Sequence, residues 1–276
     1  MLANVENIYV PHTIDEAIHV LQEPHVRPLY GGVALHRESS LDVRAVVDLS
    51  QLGLDQHRAF DKGFALGSMM TLEAALAACE SMQRRYPNAR FLAEIIREEA
   101  PVNLRNTMTL GDLLVERRPN SILLTAFVLL DAQVDANGWP RFIHDWLSAP
   151  DVEVKSALIT EIALEHGAEN ARYTFEKVAR TPKDAPIVGA MAYVARDSDG
   201  IVNDARLAMC GVAEFPIPLS SVDEELIATN GNIEQALQRL QVNPTGDHWG
   251  SAEYRAAMAM VLARRVLNQT INITGE

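Results

Sequence analysis

The chain has 276 residues, enough for one large domain or two to three smaller ones. Hydrophobic residues make up 48%, which excludes a disordered chain. With 37 acidic against 24 basic residues the formal charge is -13, which disfavours nucleic acid and anionic lipid as partners. An anionic small ligand stays open, because backbone N–H groups hold phosphate without net positive charge.

Taken in order, the first elements read as a small α/β unit. Thr13 and Glu16 form a capping-box pattern ahead of Ala17, Val20 and Leu21, so a helix is expected there. An extended run follows at Pro28 to Tyr30, ended by Gly31 and Gly32, and the apolar Ala45 to Leu49 reads as a second strand. No glycine fingerprint of a dinucleotide-binding Rossmann unit is present, so a nucleotide ligand here needs another fold.

From Phe60 onward, Phe64 to Gly67 reads as a strand and Thr71 as the cap of a helix through Cys79. A helix is expected over Phe91 to Glu99. The run Ile122 to Leu130 has the Leu and Ala content of a buried helix rather than a strand. Gly138 marks a turn between Val134 and Phe142. Alternation at Ala157–Ile162, Tyr173–Val178, Met191–Val194 and Ala205–Gly211 predicts a hairpin-rich sheet, with Asn203 at a turn. Two helices are expected to close the chain. One opens on a capping box of Ser221 and Glu224; the other runs from Ser251 to Leu267 with Tyr254, Met258, Val261 and Leu262 along one face. A sheet followed by helices points to an α+β sandwich.

Independent chemistry finds little footing. Cys79 and Cys210 form neither a redox motif nor a metal-ligand pair and fit a reducing compartment. None of the histidines pairs with another ligand type at metal spacing, and no serine or cysteine sits in a nucleophile elbow, so no catalytic residue and no metal site is expected. Met1 to Asn7 carries a glutamate and no positive stretch, and no apolar run reaches 18 residues. A cytoplasmic protein with neither signal peptide nor membrane span is the expectation.

The ordered motifs, from about Val10 to Leu267, resemble the FAD-binding medium subunit family of the molybdenum hydroxylases, to which carbon monoxide dehydrogenase and xanthine dehydrogenase belong. The N-terminal match is Pro11, Thr13, Glu16, Ala17, then Gly31-Gly32, then Val46-Val47-Asp48-Leu49-Ser50. The middle match is Leu104-Arg105-Asn106 with Thr109-Leu110-Gly111, and Pro119 keeps a family proline. The C-terminal match is Phe175, Lys177 and Arg180, then Asp184, Ala205-Arg206-Leu207-Ala208, Gly211-Val212-Ala213 and Ser251-Ala252-Glu253-Tyr254-Arg255. The fold implied is α+β: a FAD-binding unit of the molybdopterin dehydrogenase (PCMH-like) type in two α/β subdomains, residues 1–57 and 58–150. A C-terminal domain, 151–276, follows as a sheet packed against helices.

The resemblance also implies FAD as cofactor. Its contact residues would fall on Gly31, Gly32, Val33 and Ala34 in a first loop, on Arg105, Asn106, Thr109, Gly111 and Asp112 in a second, and on Lys177. Such a subunit passes electrons from iron-sulfur clusters of a small subunit, fed by a molybdopterin-binding large subunit, to an external acceptor. The loops depart from the family pattern. Val33 and Ala34 stand where the family has threonine and aspartate; Asp112 and Leu113 replace a second glycine and an asparagine, and Ile122 replaces an aspartate. Asp112 places a negative charge where backbone would approach a dianion. The alternative reading is therefore a flavin-less structural or assembly protein that retains the medium-subunit fold.

Overall fold

The computed structural model describes residues 4–38 and 42–272. The chain opens with strand β1 (Asn7–Tyr9) and helix α1 (Ile14–Leu21). The α1 cap is Thr13, whose hydroxyl accepts from Glu16 N at 3.2 Å, while the Glu16 carboxylate accepts from His12 N. Strand β2 (Val26–Leu29), helix α2 (Val33–Glu38) and strand β3 (Ala45–Asp48) follow. Together β1, β3 and β2 make a small parallel sheet in that order.

Strands β4 (His57–Phe60) and β5 (Gly63–Gly67) lead into helix α3 (Leu72–Met82), capped by Thr71 as its sequence predicts. Helices α4 (Pro87–Glu99), α5 (Val102–Arg105) and α6 (Leu110–Glu116) come next, then α7 (Ile122–Leu129). Every residue of α7 is buried, and Ser121 caps it by accepting from Leu124 N. Strands β6 (Gln133–Ala136) and β7 (Trp139–Phe142) form a hairpin. Its turn residues Asn137 and Gly138 take φ of 55° and 79°, the paired positive values that a two-residue hairpin turn needs. Short helices α8 (Ile143–Ser148) and α9 (Asp151–Ser156) precede strand β8 (Ile159–Glu165), which inserts between β5 and β6. The result is an antiparallel five-stranded sheet, β4-β5-β8-β6-β7.

The remainder is strands β9 (Arg172–Val178), β10 (Val188–Arg196), β11 (Val202–Cys210) and β12 (Ile217–Pro218), then helices α10 (Ser220–Ala228), α11 (Ile233–Leu237) and α12 (Ala252–Ile271). These strands form an antiparallel sheet. One face of it carries Ala190, Ala192, Val194 and Leu207 into a core with Val222 and Leu226 of α10 and Leu262 and Val266 of α12. Helix α7 packs on β10 and β11 as well, so that β10 is buried along nearly its whole length. The α+β class and the C-terminal sheet against helices are as expected.

By contacts the chain forms two compact units. The first holds residues 1–81, 100–117 and 132–165, and the second 82–99, 118–131 and 166–276. Strand β8 thus belongs with β5 and β6, and α4 and α7 group with the C-terminal stretch.

Three local expectations change. Asn203 is not at the turn. The turn is Asp197–Gly200, where the Asp197 carboxylate accepts from Asp199 N and Ile201 N and Gly200 takes φ 79°. Asn203 is the extra residue of a bulge, since Ala195 pairs with Asp204 and Arg196 with Val202. The expected Ser221–Glu224 box does not form. Leu219 N bonds Leu207 O, so the strand pairing runs to Leu219 and the helix starts at Ser220 with no side-chain cap. On α12 the buried face is Arg255, Ala259, Leu262, Ala263, Val266, Leu267 and Thr270, while Tyr254 is exposed.

A candidate functional site built around Asp112

Within the first unit the two loops singled out from sequence meet at one side chain. Asp112 is the third residue of α6 and is 1% exposed. One carboxylate oxygen, Oδ2, accepts from Gly31 N at 2.9 Å, and from Thr109 N and Thr109 Oγ1 at 3.2 Å each. The other, Oδ1, accepts from Ala34 N at 3.0 Å. Thr109 and Asp112 form a capping box, in which the Thr109 hydroxyl also accepts from Asp112 N. That box is local. The bonds to Gly31 and Ala34 reach 81 and 78 residues back and tie the first loop to the second.

A buried carboxylate without partners is costly, and four donors on two oxygens is the kind of shell that offsets its desolvation. Hydrogen bonds to a charged group contribute about 1.5–3 kcal/mol each, net of the exchange with water. The other donors of the second loop are also engaged internally. Leu110 N bonds Met70 O, Gly111 N bonds Ser68 O at 2.7 Å, and Leu113 N bonds Thr109 O.

The glycines make room for the chain itself. A Cβ on Gly31 would lie 2.4 Å from Asp112 Oδ2 and 2.5 Å from Thr107 O. A Cβ on Gly111 would lie 2.2 Å from the Tyr30 ring. Tyr30 is itself buried, with its hydroxyl donating to Ala157 O at 3.1 Å and accepting from Ile159 N at 2.7 Å. Burial pushes the Tyr30 phenol above its ordinary range, against the lowering effect of the Ile159 bond, so it stays neutral. Sequence reading passed over Tyr30. The available signal was a bulky phenol directly before Gly31-Gly32, where the family pattern has a small alanine. The Thr109-x-x-Asp112 spacing likewise signalled a capping box.

The other expected contact residues have structural partners. Gly32 takes φ +84°, a left-handed turn that favours glycine. Val33 is half-buried at the start of α2, and Ala34 offers only its N–H. Arg105 bonds Glu73 at 2.7 Å and Ala100 O at 3.0 Å. Asn106 donates to Val102 O. In the second unit Lys177 pairs with Glu98 at 3.2 Å with its side chain only 12% exposed. Leu113 and Ile122 are buried apolar core, each 1% exposed. Among the described residues no group of three or more His, Cys, Asp or Glu side chains is arranged to hold a metal ion, and no helix is long and apolar enough to cross a membrane.

Comparison with known proteins fixes the class. Residues 3–163 match the FAD binding domain in molybdopterin dehydrogenase, and residues 173–270 match the CO dehydrogenase flavoprotein C-terminal domain. The chain belongs to that molybdopterin dehydrogenase FAD-binding-domain family, and its fold and domains are those of the medium subunit of the CO dehydrogenase and xanthine dehydrogenase-like molybdenum hydroxylases. It is 25% identical to the Escherichia coli K12 protein YgfM over 266 residues, covering 94% of this chain and 93% of the other. It is 26% identical to the carbon monoxide dehydrogenase medium chain of Hydrogenophaga pseudoflava over 215 residues, 72% of each. Among solved structures, CO dehydrogenase from Oligotropha carboxidovorans superposes with a TM-score of 0.83 at 22% identity, over 96% of this chain and 97% of that one. Quinoline 2-oxidoreductase from Pseudomonas putida 86 gives 0.80 at 20%, over 96% of each chain.

The family implies FAD, and the two loops here do not fit its pyrophosphate. The N–H groups of Gly31, Ala34 and Thr109 are bonded to a buried carboxylate, and those of Leu110, Gly111 and Leu113 bond backbone carbonyls. A dianion beside Asp112 would meet like charge at hydrogen-bond distance.

Proposed function

We propose that the chain is the medium-type subunit of a molybdenum hydroxylase-like oxidoreductase complex and serves it as a flavin-less structural or assembly member. Membership of the complex is supported by the two family matches, which together span nearly the whole chain. The flavin-less role is carried by one observation: Asp112 engages the N–H groups of Gly31 and Ala34 in the first loop and of Thr109 in the second. Its partners are then a molybdopterin-binding large subunit and an iron-sulfur small subunit. A cytoplasmic setting is supported by the two cysteines, both free and buried.

The second reading is an FAD-carrying subunit that passes electrons from the clusters to an external acceptor. It is favoured by the match of residues 3–163 to an FAD-binding family. In that reading the cofactor would supply the redox chemistry and this chain its binding and electrostatics.

Co-expression with candidate large and small subunits separates the two. The structural reading expects a stable complex that carries molybdenum and iron-sulfur clusters and releases no flavin on heat or acid denaturation. About one flavin released per copy of this chain would favour electron transfer. Failure to form any complex would remove both readings.

A further inference from the structure

We propose that the Asp112 carboxylate is this chain's built-in anion, holding the Gly31–Ala34 loop in the shape that a phosphate-type ligand would otherwise impose. The inference rests on the flavin-less reading and deepens it, because it names the group that makes the loop independent of cofactor.

The geometry goes beyond a helix cap. A capping box needs one oxygen and the donors of its own turn. Asp112 uses Oδ2 for that box and, with both oxygens, collects two further N–H groups from a distant loop. Backbone N–H groups converging on one point are an anion-binding arrangement whatever supplies the charge. Here the anion is covalently attached, so it is present at an effective concentration no free ligand matches. Gly31 is required for the arrangement, since a Cβ there would lie 2.4 Å from Oδ2. The loop is therefore shaped around a side-chain carboxylate, and its glycine serves that contact.

If the carboxylate is the internal counterpart of a phosphate, its removal orphans three buried or part-buried N–H groups that an added anion satisfies. The test is thermal unfolding of the full chain as wild type, Asp112→Ala and Asp112→Asn, with and without inorganic pyrophosphate, and with sodium chloride at matched ionic strength. Wild type is expected to show no pyrophosphate effect beyond that of chloride. Asp112→Ala is expected to unfold about 5 °C lower or more, and to recover at least half of that loss in a saturable way with pyrophosphate. Asp112→Asn keeps the volume, so it is expected to lose stability without recovering.

A wild-type midpoint matched by both variants would overturn the proposal, as would an Asp112→Ala midpoint that pyrophosphate raises no more than chloride does. If Asp112→Ala does not fold, Asp112→Asn decides: a midpoint equal to wild type overturns the role of the charge, and a lowered one supports it. Retention of FAD by the wild type is a separate result, which would sink the flavin-less reading whatever the variants do.

Discussion

In the loops around Gly31 and Thr109 a buried carboxylate gathers backbone N–H groups; at the start of α12 a buried guanidinium gathers backbone carbonyls. Asp112 ties together two loops of the first unit. Arg255, 6% exposed, donates through Nη1 to Ile187 O and Gly211 O and through Nη2 to Asp247 at 2.8 Å. The physical device is the same with the sign reversed. The sequences differ in how they came to it. Arg255 lies in a run, Ser251-Ala252-Glu253-Tyr254-Arg255, that keeps the family pattern, and Asp112 lies where the pattern is broken. Where the family pattern is broken, the space is filled by contacts inside the chain: Asp112 holds the Gly31 and Ala34 N–H groups, and the Tyr30 ring lies against Gly111.

The largest effect that would break this comparison is expected at Gly111. Gly111→Ala drives a methyl into the Tyr30 ring, so a loss of about 3 kcal/mol or more in denaturant unfolding is expected. In a Tyr30→Ala background the same change should cost far less, and equal costs in both backgrounds would show that the ring is not the obstacle.

Arg255→Met is expected to cost about 2–3 kcal/mol, because it leaves the carbonyls of Ile187 and Gly211 without their donor; Asp247 is part-exposed and regains water. A loss under about 0.5 kcal/mol in the same assay would mean that the two anchors are not equivalent.

Asp223 sharpens the account of the C-terminal unit through pH. Its carboxyl is pushed up from 3.8 to about 8, chiefly by burial, against the lowering effects of the Leu207 N–H bond and of Arg206. Nearby Asp131 and Asp204 raise it further. The folded state thus holds this proton more tightly than the unfolded one. Its stabilising share is complete below the unfolded value near 3.8 and is lost as pH rises through about 8. Melting temperatures taken from about pH 6 to about pH 9 should fall more steeply in wild type than in Asp223→Asn. Parallel profiles would contradict the assignment.

The smallest effect is expected on the outer face of α12. Arg264 and Glu234 form a paired contact at 2.8 Å with side chains 46% and 70% exposed, so Arg264→Ala should leave the denaturant midpoint within the scatter of repeat measurements. A larger loss in chemical denaturation would mean that surface pairs, and not buried anchors, organise that region.

Much of the fold was legible because its signals are local. Thr13, Thr71 and Ser251 cap helices through bonds three residues away, and the apolar run at Ile122 could only be buried. The failures are places where a distant partner overrides a local signal. Ser221 loses its cap because Leu219 is already paired with Leu207, and Asn203 becomes a bulge because Asp197 makes the turn. At the site, the residues Gly31, Thr109 and Asp112 were readable, and so was the charge of Asp112. Its direction was not, since that depends on two N–H groups some eighty positions away in the chain.

Asp112, and not a flavin, holds the N–H groups of Gly31, Ala34 and Thr109. This assignment is tested most directly by incubating the natively purified wild-type chain with excess FAD, passing it through gel filtration and recording its absorption near about 450 nm. No retained flavin band is expected, before or after incubation. A band corresponding to about one flavin per chain would contradict it and show that Asp112 yields its place to the cofactor.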